Sequence, residues 1–330
     1  MTRFGIIGCG RIAARHAEQI NAKGELVAVC DIDKTIGEAF ATRYNTRFYP
    51  APGTLLENET SIDVIAVCSP NWLHTTHTIQ ALNAGFHVLC EKPMAITVED
   101  CRLMLEAARI NHRHLFVVKQ NRFNPPVVAL RKAMTEGRLG KVYSFQLSCF
   151  WNREESYYND SWHGKINQDG GTLFTQFSHF IDLLYWLLGD VEGVKAFRKK
   201  CSQKNGLEFE DTGVVLLNMK NGAIGTLNYS VNASQKNMEG SLTIIAEKGT
   251  VKIGGQYLNT LEYQSVNDYT FQVESITDKS NNYGSYTGSM SNHDKVYDNI
   301  IDVLENGQAL YINSEEAMKT VEIIERIYSA

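Results

Sequence analysis

The stretch Phe4-Gly5-Ile6-Ile7-Gly8-Cys9-Gly10-Arg11-Ile12-Ala13 constrains this chain more than any other. An apolar run leads into small residues at the G-x-G-x-x-G/A positions, an order that reads strand, tight turn, helix. Gly8 permits the sharp exit from the strand. Gly10 lets a pyrophosphate approach the backbone, and Ala13 lets the helix sit close to the strand. The helix start then offers unpaired N–H groups to phosphates. A second apolar run, Leu26-Val27-Ala28-Val29-Cys30, ends at Asp31, about 20 residues past the glycines. A dinucleotide fold places there the acid that accepts from the adenosine ribose. The competing role for Asp31 is to cap the following helix. As a ribose acceptor it repels a 2′-phosphate, so NAD is expected over NADP, with Lys34 and Arg43 able to soften that preference.

A chain of 330 residues exceeds one typical core and predicts two domains. Its net charge of −5 provides no broad basic field, so nucleic acid is not an expected partner. No apolar run reaches the length of a membrane span, and the N-terminus enters a strand without a signal-peptide layout. The seven cysteines are scattered and mostly sit in apolar runs (Cys30, Cys68, Cys90, Cys149), as reduced core thiols of a cytoplasmic protein do. No His/Cys grouping has zinc spacing, so no metal is expected.

Strand and helix patterns alternate to about residue 121. Strands are predicted at 3–8, 25–31, 62–69, 87–91 and 114–120, and helices at 11–22, 33–44, 72–84 and 97–111. The fold class is therefore α/β. An N-terminal Rossmann domain, a doubly wound parallel sheet, is expected over 1–121. An α+β domain with a large, open, mostly antiparallel sheet is expected over 122–330, with β stretches in 193–275. Residues 276–292, rich in Ser, Asn, Tyr and Gly, read as a mobile loop, and two helices close the chain near 293–306 and 314–328.

Ligands of a doubly wound fold lie beyond the carboxyl ends of its strands. Three such ends carry candidate residues. At Cys68-Ser69-Pro70-Asn71, Ser69 and Asn71 either cap a helix or touch a cofactor, and His74 faces the cofactor or solvent. At Cys90-Glu91-Lys92-Pro93, Lys92 either handles protons near a nicotinamide or pairs with Glu91. At Lys119-Gln120-Asn121-Arg122, the chain crosses domains, and Gln120 and Arg122 would point into a cleft. Further on, Thr175, His179 and Asp182 fall at i, i+4 and i+7 of an expected amphipathic helix opened by Asp169-Gly170-Gly171, on one face. Asp182 either orients His179 or serves as a buried acceptor.

With these pieces placed, the chain resembles the glucose-fructose oxidoreductase/inositol dehydrogenase (Gfo/Idh/MocA) family along essentially its whole length. The carriers are Gly8-Cys9-Gly10-Arg11-Ile12-Ala13, Asp31, Glu91-Lys92-Pro93 and Gly170-Gly171…His179…Asp182. Within that family it is similar to UDP-N-acetylglucosaminuronate 3-dehydrogenases of bacterial surface-polysaccharide pathways. That narrower likeness rests on Lys119 to Val127, Phe150-Trp151-Asn152-Arg153, Tyr157-Tyr158, Trp162-His163-Gly164 and Asp169-Gly170-Gly171.

The resemblance implies an NAD-dependent oxidation at C3 of a hexuronate, with Lys92 and His179 as the catalytic pair and Thr175 orienting His179 through its hydroxyl. It implies a cofactor site formed by Gly8, Gly10, Arg11, Ile12, Asp31, Ser69, Asn71, His74, Glu91, Lys92, Gln120 and Trp162. Substrate contacts are expected from Lys92, Arg122, Arg153, Tyr157, Tyr158, Gln176 and His179, the two arginines for a carboxylate or diphosphate. Two positions depart from the family pattern: Thr175 stands where Asp or Asn is usual, and His163 where arginine is usual. A homodimer or homotetramer joined through the C-terminal sheet is expected. The rival readings are a dehydrogenase of a free polyol or aldose, and a non-catalytic NAD-binding protein on the same fold.

Overall fold

The structure is a computed structural model that describes residues 1–159, 161–273, 280–282 and 287–330. In the N-terminal part the elements run β1 (Arg3–Ile7), α1 (Ala13–Lys23), β2 (Glu25–Cys30), α2 (Lys34–Tyr44), β3 (Arg47–Tyr49) and α3 (Pro52–Asn58). They continue with β4 (Val64–Val67), α4 (His74–Asn83), β5 (His87–Cys90), α5 (Val98–Ile110) and β6 (Leu115–Val117). The six strands are parallel in the order β3-β2-β1-β4-β5-β6, the Rossmann order, and the strand direction of travel across the sheet reverses between β1 and β4. Every residue of β4 is buried, as in a sheet covered on both faces.

Local chemistry starts the helices. Asp33 caps α2 by accepting from the Thr35 and Ile36 N–H groups. The capping role considered for Asp31 thus belongs to its neighbour. Thr97 caps α5 through the Asp100 N–H, and its hydroxyl donates back to Asp100. The short β3 and α3 carry too little periodicity to be read from the sequence.

The rest of the chain gives α6 (Pro125–Thr135), β7 (Val142–Phe150), α7 (Ile166–Asp169), α8 (Thr172–Thr175), α9 (Ser178–Leu188), β8 (Val191–Lys199) and β9 (Thr212–Met219). Then come β10 (Ile224–Ser230), β11 (Glu239–Ala246), β12 (Gly249–Gly254), β13 (Thr260–Val266), β14 (Ser280–Asn282), β15 (Thr287–Met290), α10 (His293–Asn306) and α11 (Ser314–Tyr328). A seven-stranded sheet has the order β13-β12-β11-β7-β10-β9-β8; only β7 and β10 pair in parallel. One face of this sheet packs on α9 and the turn before it. Phe177 meets Tyr229 edge-on and Trp151 at a tilt, and Phe180 fills the space above Gly240.

Two sequence expectations change here. The helix expected to run unbroken through Thr175 and His179 is two helices, because Gln176 and Phe177 separate α8 from α9. The i, i+4, i+7 spacing therefore does not align Thr175, His179 and Asp182 on one helical face. The loop expected over 276–292 contains the antiparallel pair β14–β15; residues 276–279 and 283–286 lie outside the described residues.

The chain divides into two compact units. Residues 1–119 and 293–321 form one, and residues 120–292 and 322–330 the other. The first unit breaks off at Lys119 and resumes at His293. The segment 293–321 differs from expectation, because α10 packs on α1 in the first unit. The observed reason is side-chain chemistry. Tyr297 sits edge-on to Phe4 and bonds His16, which no sequence period signals.

Burial, together with His114 and Arg113, pushes His87 at the start of β5 down to about 4. Burial and His74 push His77 of α4 down to about 4. An unfolded histidine titrates near 6.5, so as pH falls the unfolded chain takes these protons first and stability falls with pH between about 6.5 and 4. Thermal unfolding followed at pH 7, 6 and 5 is expected to show a falling midpoint. The decline should be shallower in His87→Asn; an identical slope would contradict the assignment.

Candidate active site

The glycine turn and the end of β4 meet at the point where the sheet order reverses. Gly8 has φ of +95°, and a Cβ there would lie 2.7 Å from the Ser69 nitrogen and 2.8 Å from the Cys68 carbonyl. That approach leaves no room for a side chain. At Gly10 the opposite holds: an added Cβ meets nothing within 4 Å. The open space at Gly10 is the cradle that a pyrophosphate needs. Asp31 Oδ2 accepts from the Cys9 N–H at 2.7 Å and Oδ1 accepts from the Asp33 N–H at 2.8 Å. The carboxylate thus fixes the turn while staying partly exposed beyond the end of β2, where a ribose is held in this fold. Arg11 is exposed and Ile12 immediately precedes α1. These residues fit NAD.

At the end of β4, Asn71 is buried and Ser69 Oγ faces His77 Nδ1 at 2.9 Å; neither residue caps the following helix. The His74 ring is buried and faces two carbonyl oxygens, Pro93 O at 2.7 Å and Ser69 O at 2.8 Å. It faces neither solvent nor an open cofactor surface, contrary to expectation. Its position one turn into the segment after β4 brings it against the β5 end.

Glu91 also departs from its expected role. Its carboxylate is taken up inside the first unit: Oε1 accepts from His16 Nε2 at 2.9 Å, and Oε2 accepts from the Lys92 N–H at 2.9 Å. His293 Nε2 lies 3.5 Å from Oε1. Burial raises the Glu91 carboxyl, but the hydrogen bond from His16 and the nearby His293 ring outweigh it and hold the group well below the usual carboxylate range. Tyr297 O–H completes the line at His16 Nδ1, 2.8 Å away. Glu91 therefore anchors the Lys92 backbone. The ligand atoms of His16, Glu91 and His293 lie within 4.8 Å of one another, a grouping that could hold a cation and that positions 16, 91 and 293 hide in sequence. Both His16 nitrogens are already satisfied by Tyr297 and Glu91. The Lys92–Pro93 peptide is cis.

In the second unit, His179 is buried at the start of α9, and its Nε2 lies 3.1 Å from the Gln120 side-chain nitrogen. With the amide nitrogen on this side Nε2 accepts, so its one lone pair is held by Gln120. The same Gln120 amide donates to Ser289 Oγ at 3.1 Å. Thr175 gives its hydroxyl proton to the Asp169 carboxylate rather than to His179. Asp169 also accepts from the Gly164 N–H at 2.7 Å, which makes it the hub of its loop.

Arg122 is not the substrate contact expected of it. It is 0% exposed, and its Nε and Nη2 both bond Asp182 at 2.8 Å. A guanidinium forked onto a buried carboxylate is not available to a substrate carboxylate or diphosphate. Asp182 is accordingly the partner of Arg122. Arg153 is buried as well, its Nη1 donating to Asn152 O and Asn237 Oδ1 with its plane over Trp151 and Tyr157.

The other expected substrate residues form a connected group. Gln176 Nε2 donates to Tyr157 O–H at 2.9 Å, and Tyr157 stacks on His163 with ring centroids 4.3 Å apart. Tyr158 is buried, and that burial raises its phenol above the ordinary value. Trp162 and Lys165 line a hollow of about 560 Å³ with Tyr158, Asn159, Ser161, Gln168 and Gly206. Sequence reasoning missed His16, His293, Tyr297 and Ser289, which act through tertiary contact alone.

The family comparisons agree with this geometry. Residues 2–119 match the model described as oxidoreductase family, NAD-binding Rossmann fold, and residues 127–252 match the Gfo/Idh/MocA C-terminal domain. The chain belongs to the Gfo/Idh/MocA oxidoreductase family, and its first unit carries the NAD-binding Rossmann fold. By family it is an NAD-dependent oxidoreductase.

Among solved structures it is similar to the WlbA dehydrogenase of Chromobacterium violaceum in complex with NADH and UDP-GlcNAcA. That likeness has 34% identity, a TM-score of 0.90, and covers 99% of this chain and 93% of the other. Among curated proteins it is similar to the D-glucoside 3-dehydrogenase of Escherichia coli, 33% identical over 69% of this chain and 66% of that one. It is also similar to the inositol 2-dehydrogenase of Rhizobium meliloti, 30% identical over 57% and 55% respectively. The chain thus spans less than two thirds of the length of these curated relatives. No helix among the described residues is long and apolar enough to cross a membrane.

The two glycines of the turn separate folding from binding. Gly10→Ala is expected to keep the native unfolding midpoint within a few degrees and to weaken NADH binding at least about tenfold, because the added methyl enters the pyrophosphate space. Gly8→Ala is expected to lower the midpoint as well, because its Cβ collides with backbone. Calorimetry and NADH fluorescence titration check both; unchanged NADH affinity in Gly10→Ala would contradict the placement.

Proposed function

We propose that the protein oxidises a sugar hydroxyl with NAD, and that its substrate is UDP-N-acetylglucosaminuronate (UDP-GlcNAcA), oxidised at C3. The observation that carries the substrate is the likeness to the WlbA complex with NADH and UDP-GlcNAcA, which extends over 99% of this chain and so includes the second unit. NAD, when bound, supplies the hydride acceptor. His179 takes the hydroxyl proton on Nε2, which gives up its Gln120 hydrogen bond in exchange for the substrate hydroxyl. Lys92 donates a hydrogen bond to the same oxygen and stabilises the negative charge that develops there. Glu91 holds the Lys92 backbone in place. Arg153, Tyr157 and Gln176 shape the substrate pocket rather than offering free charge, and Trp162 borders the open hollow beside them.

The second reading, a dehydrogenase of a free glycoside or cyclitol, is favoured by the likeness to the glucoside and inositol enzymes. Both readings use the same proton acceptor and differ in the groups recognised beyond the ring.

The protein assembles through the outer face of its seven-stranded sheet. Along β9 and β10 the outward residues Val214, Leu216 and Ile224 are exposed, and Phe197 and Ile245 extend the apolar surface across the same face. Apolar strand positions of this kind are stable in water when a second copy covers them.

Lys92→Ala and His179→Ala are each expected to lower turnover by about 10²–10⁴-fold while NADH binding persists. Near-native turnover in either variant would contradict its role. Isothermal titration of the NADH-loaded protein should show UDP-GlcNAcA binding and weaker binding of a plain glucoside; equal affinities would favour the second reading. Sedimentation velocity should give an oligomer that Leu216→Arg dissociates, and a native monomer would refute the sheet-face contact.

A further inference from the structure

His74 opens α4 and lies against the turn after β5. Its ring is 1% exposed, with Nδ1 2.7 Å from Pro93 O and Nε2 2.8 Å from Ser69 O. A carbonyl oxygen only accepts, and a neutral imidazole has a single N–H. Both contacts are hydrogen bonds only when both ring nitrogens carry hydrogen. We propose that His74 is a buried imidazolium that clamps the Ser69 segment to the Lys92–Pro93 turn, and so acts as the positioning residue for Lys92.

The surroundings decide whether such a charge survives. Burial is the largest influence and, with the positive charge of Lys92, pulls the ring below the ordinary histidine value; the two carbonyl hydrogen bonds and the Glu91 carboxylate act against it. The two short carbonyl contacts are the ground on which the charge is proposed in spite of that pull. Glu91 is held ionised by His16 and His293. His77, one turn further along α4, is pushed down to about 4 and is neutral at pH 7, so it adds no opposing charge. In the neutral ring, one nitrogen lone pair would face a carbonyl lone pair at hydrogen-bond distance. The clamp would then repel one of its two partners.

The turn is held at two successive points. The Lys92 N–H donates to Glu91 Oε2 and the Pro93 carbonyl accepts from His74. With both contacts in place, the Lys92 stem leaves from a backbone that cannot tilt. The clamp also joins the ends of β4 and β5, adjacent parallel strands in the sheet. Small displacements of a reacting group cost large rate factors, so losing one anchor should show in catalysis before it shows in cofactor binding.

The positioning part of this inference rests on Lys92 acting in the proposed dehydrogenation; the protonation part does not. Protein labelled with ¹⁵N-histidine, with the His74 signals identified by their loss in His74→Asn, tests the charge in the native chain without any substrate. Both ring nitrogens are expected to show directly bonded hydrogens from pH 6 to 8. A ring nitrogen without hydrogen at pH 7 overturns the imidazolium.

The second measurement compares kcat with NADH affinity in His74→Gln, which donates to one carbonyl only. The expected result is a fall in kcat of about 100-fold with the NADH dissociation constant changed by less than about threefold. A kcat within about twofold of native, or a loss of NADH affinity equal to the loss of kcat, overturns the positioning role. A native protein with no turnover on any sugar substrate would refute the proposed function, and the nitrogen signals would still decide the clamp.

Discussion

The close approach of Gly8 to the Cys68–Ser69 backbone governs the first unit. It occurs where the parallel sheet reverses its order, between β1 and β4. Because no Cβ fits there, the turn after β1 lies flat against the end of β4, and the next turn at Gly10 is left open above it. Asp31 then ties the same turn to the end of β2 through the Cys9 N–H. One steric fact thus produces both the cofactor cradle and the alignment of the neighbouring strand ends.

The other strand ends are organised by buried charge. Glu91 is deeply buried yet ionised, and it remains so because His16 and His293 face it and the Lys92 N–H bonds it. An isolated carboxylate in such a place would protonate instead. The network links α1, α10 and the β5 end within one unit, which explains why α10 belongs to the Rossmann unit. In the second unit, Arg122 and Asp182 form a comparable buried pair beneath Gln120 and His179. Removing one partner of such a pair strands the other charge, so these residues support the site rather than touch the substrate.

Sequence periodicity revealed the fold well because the strands of the first unit are uniformly apolar and the glycines sit at fixed spacings. It made the two closing helices legible in the same way. It misjudged Arg122 because a guanidinium that binds phosphate and one that closes an ion pair look the same in sequence; only the facing Asp182 distinguishes them. It misread the reach of His74 and Glu91 for a similar reason, since their partners are backbone groups and distant histidines. The break between Thr175 and His179 was hidden because Gln176 and Phe177 are ordinary helix residues, and no Pro or Gly marks the interruption.

The chain is a Gfo/Idh/MocA family member whose first unit carries the NAD-binding fold, and the proposed reaction assigns Lys92 and His179 to the reacting hydroxyl. The most direct test is single-turnover absorbance at the NADH band after mixing NAD-loaded protein with UDP-GlcNAcA. The account predicts a rise with this compound and none with UDP-N-acetylglucosamine or the free sugar acid, which would identify carboxylate and nucleotide as recognised groups. A rise with a simple glucoside or inositol, and none with the sugar nucleotide, would contradict it.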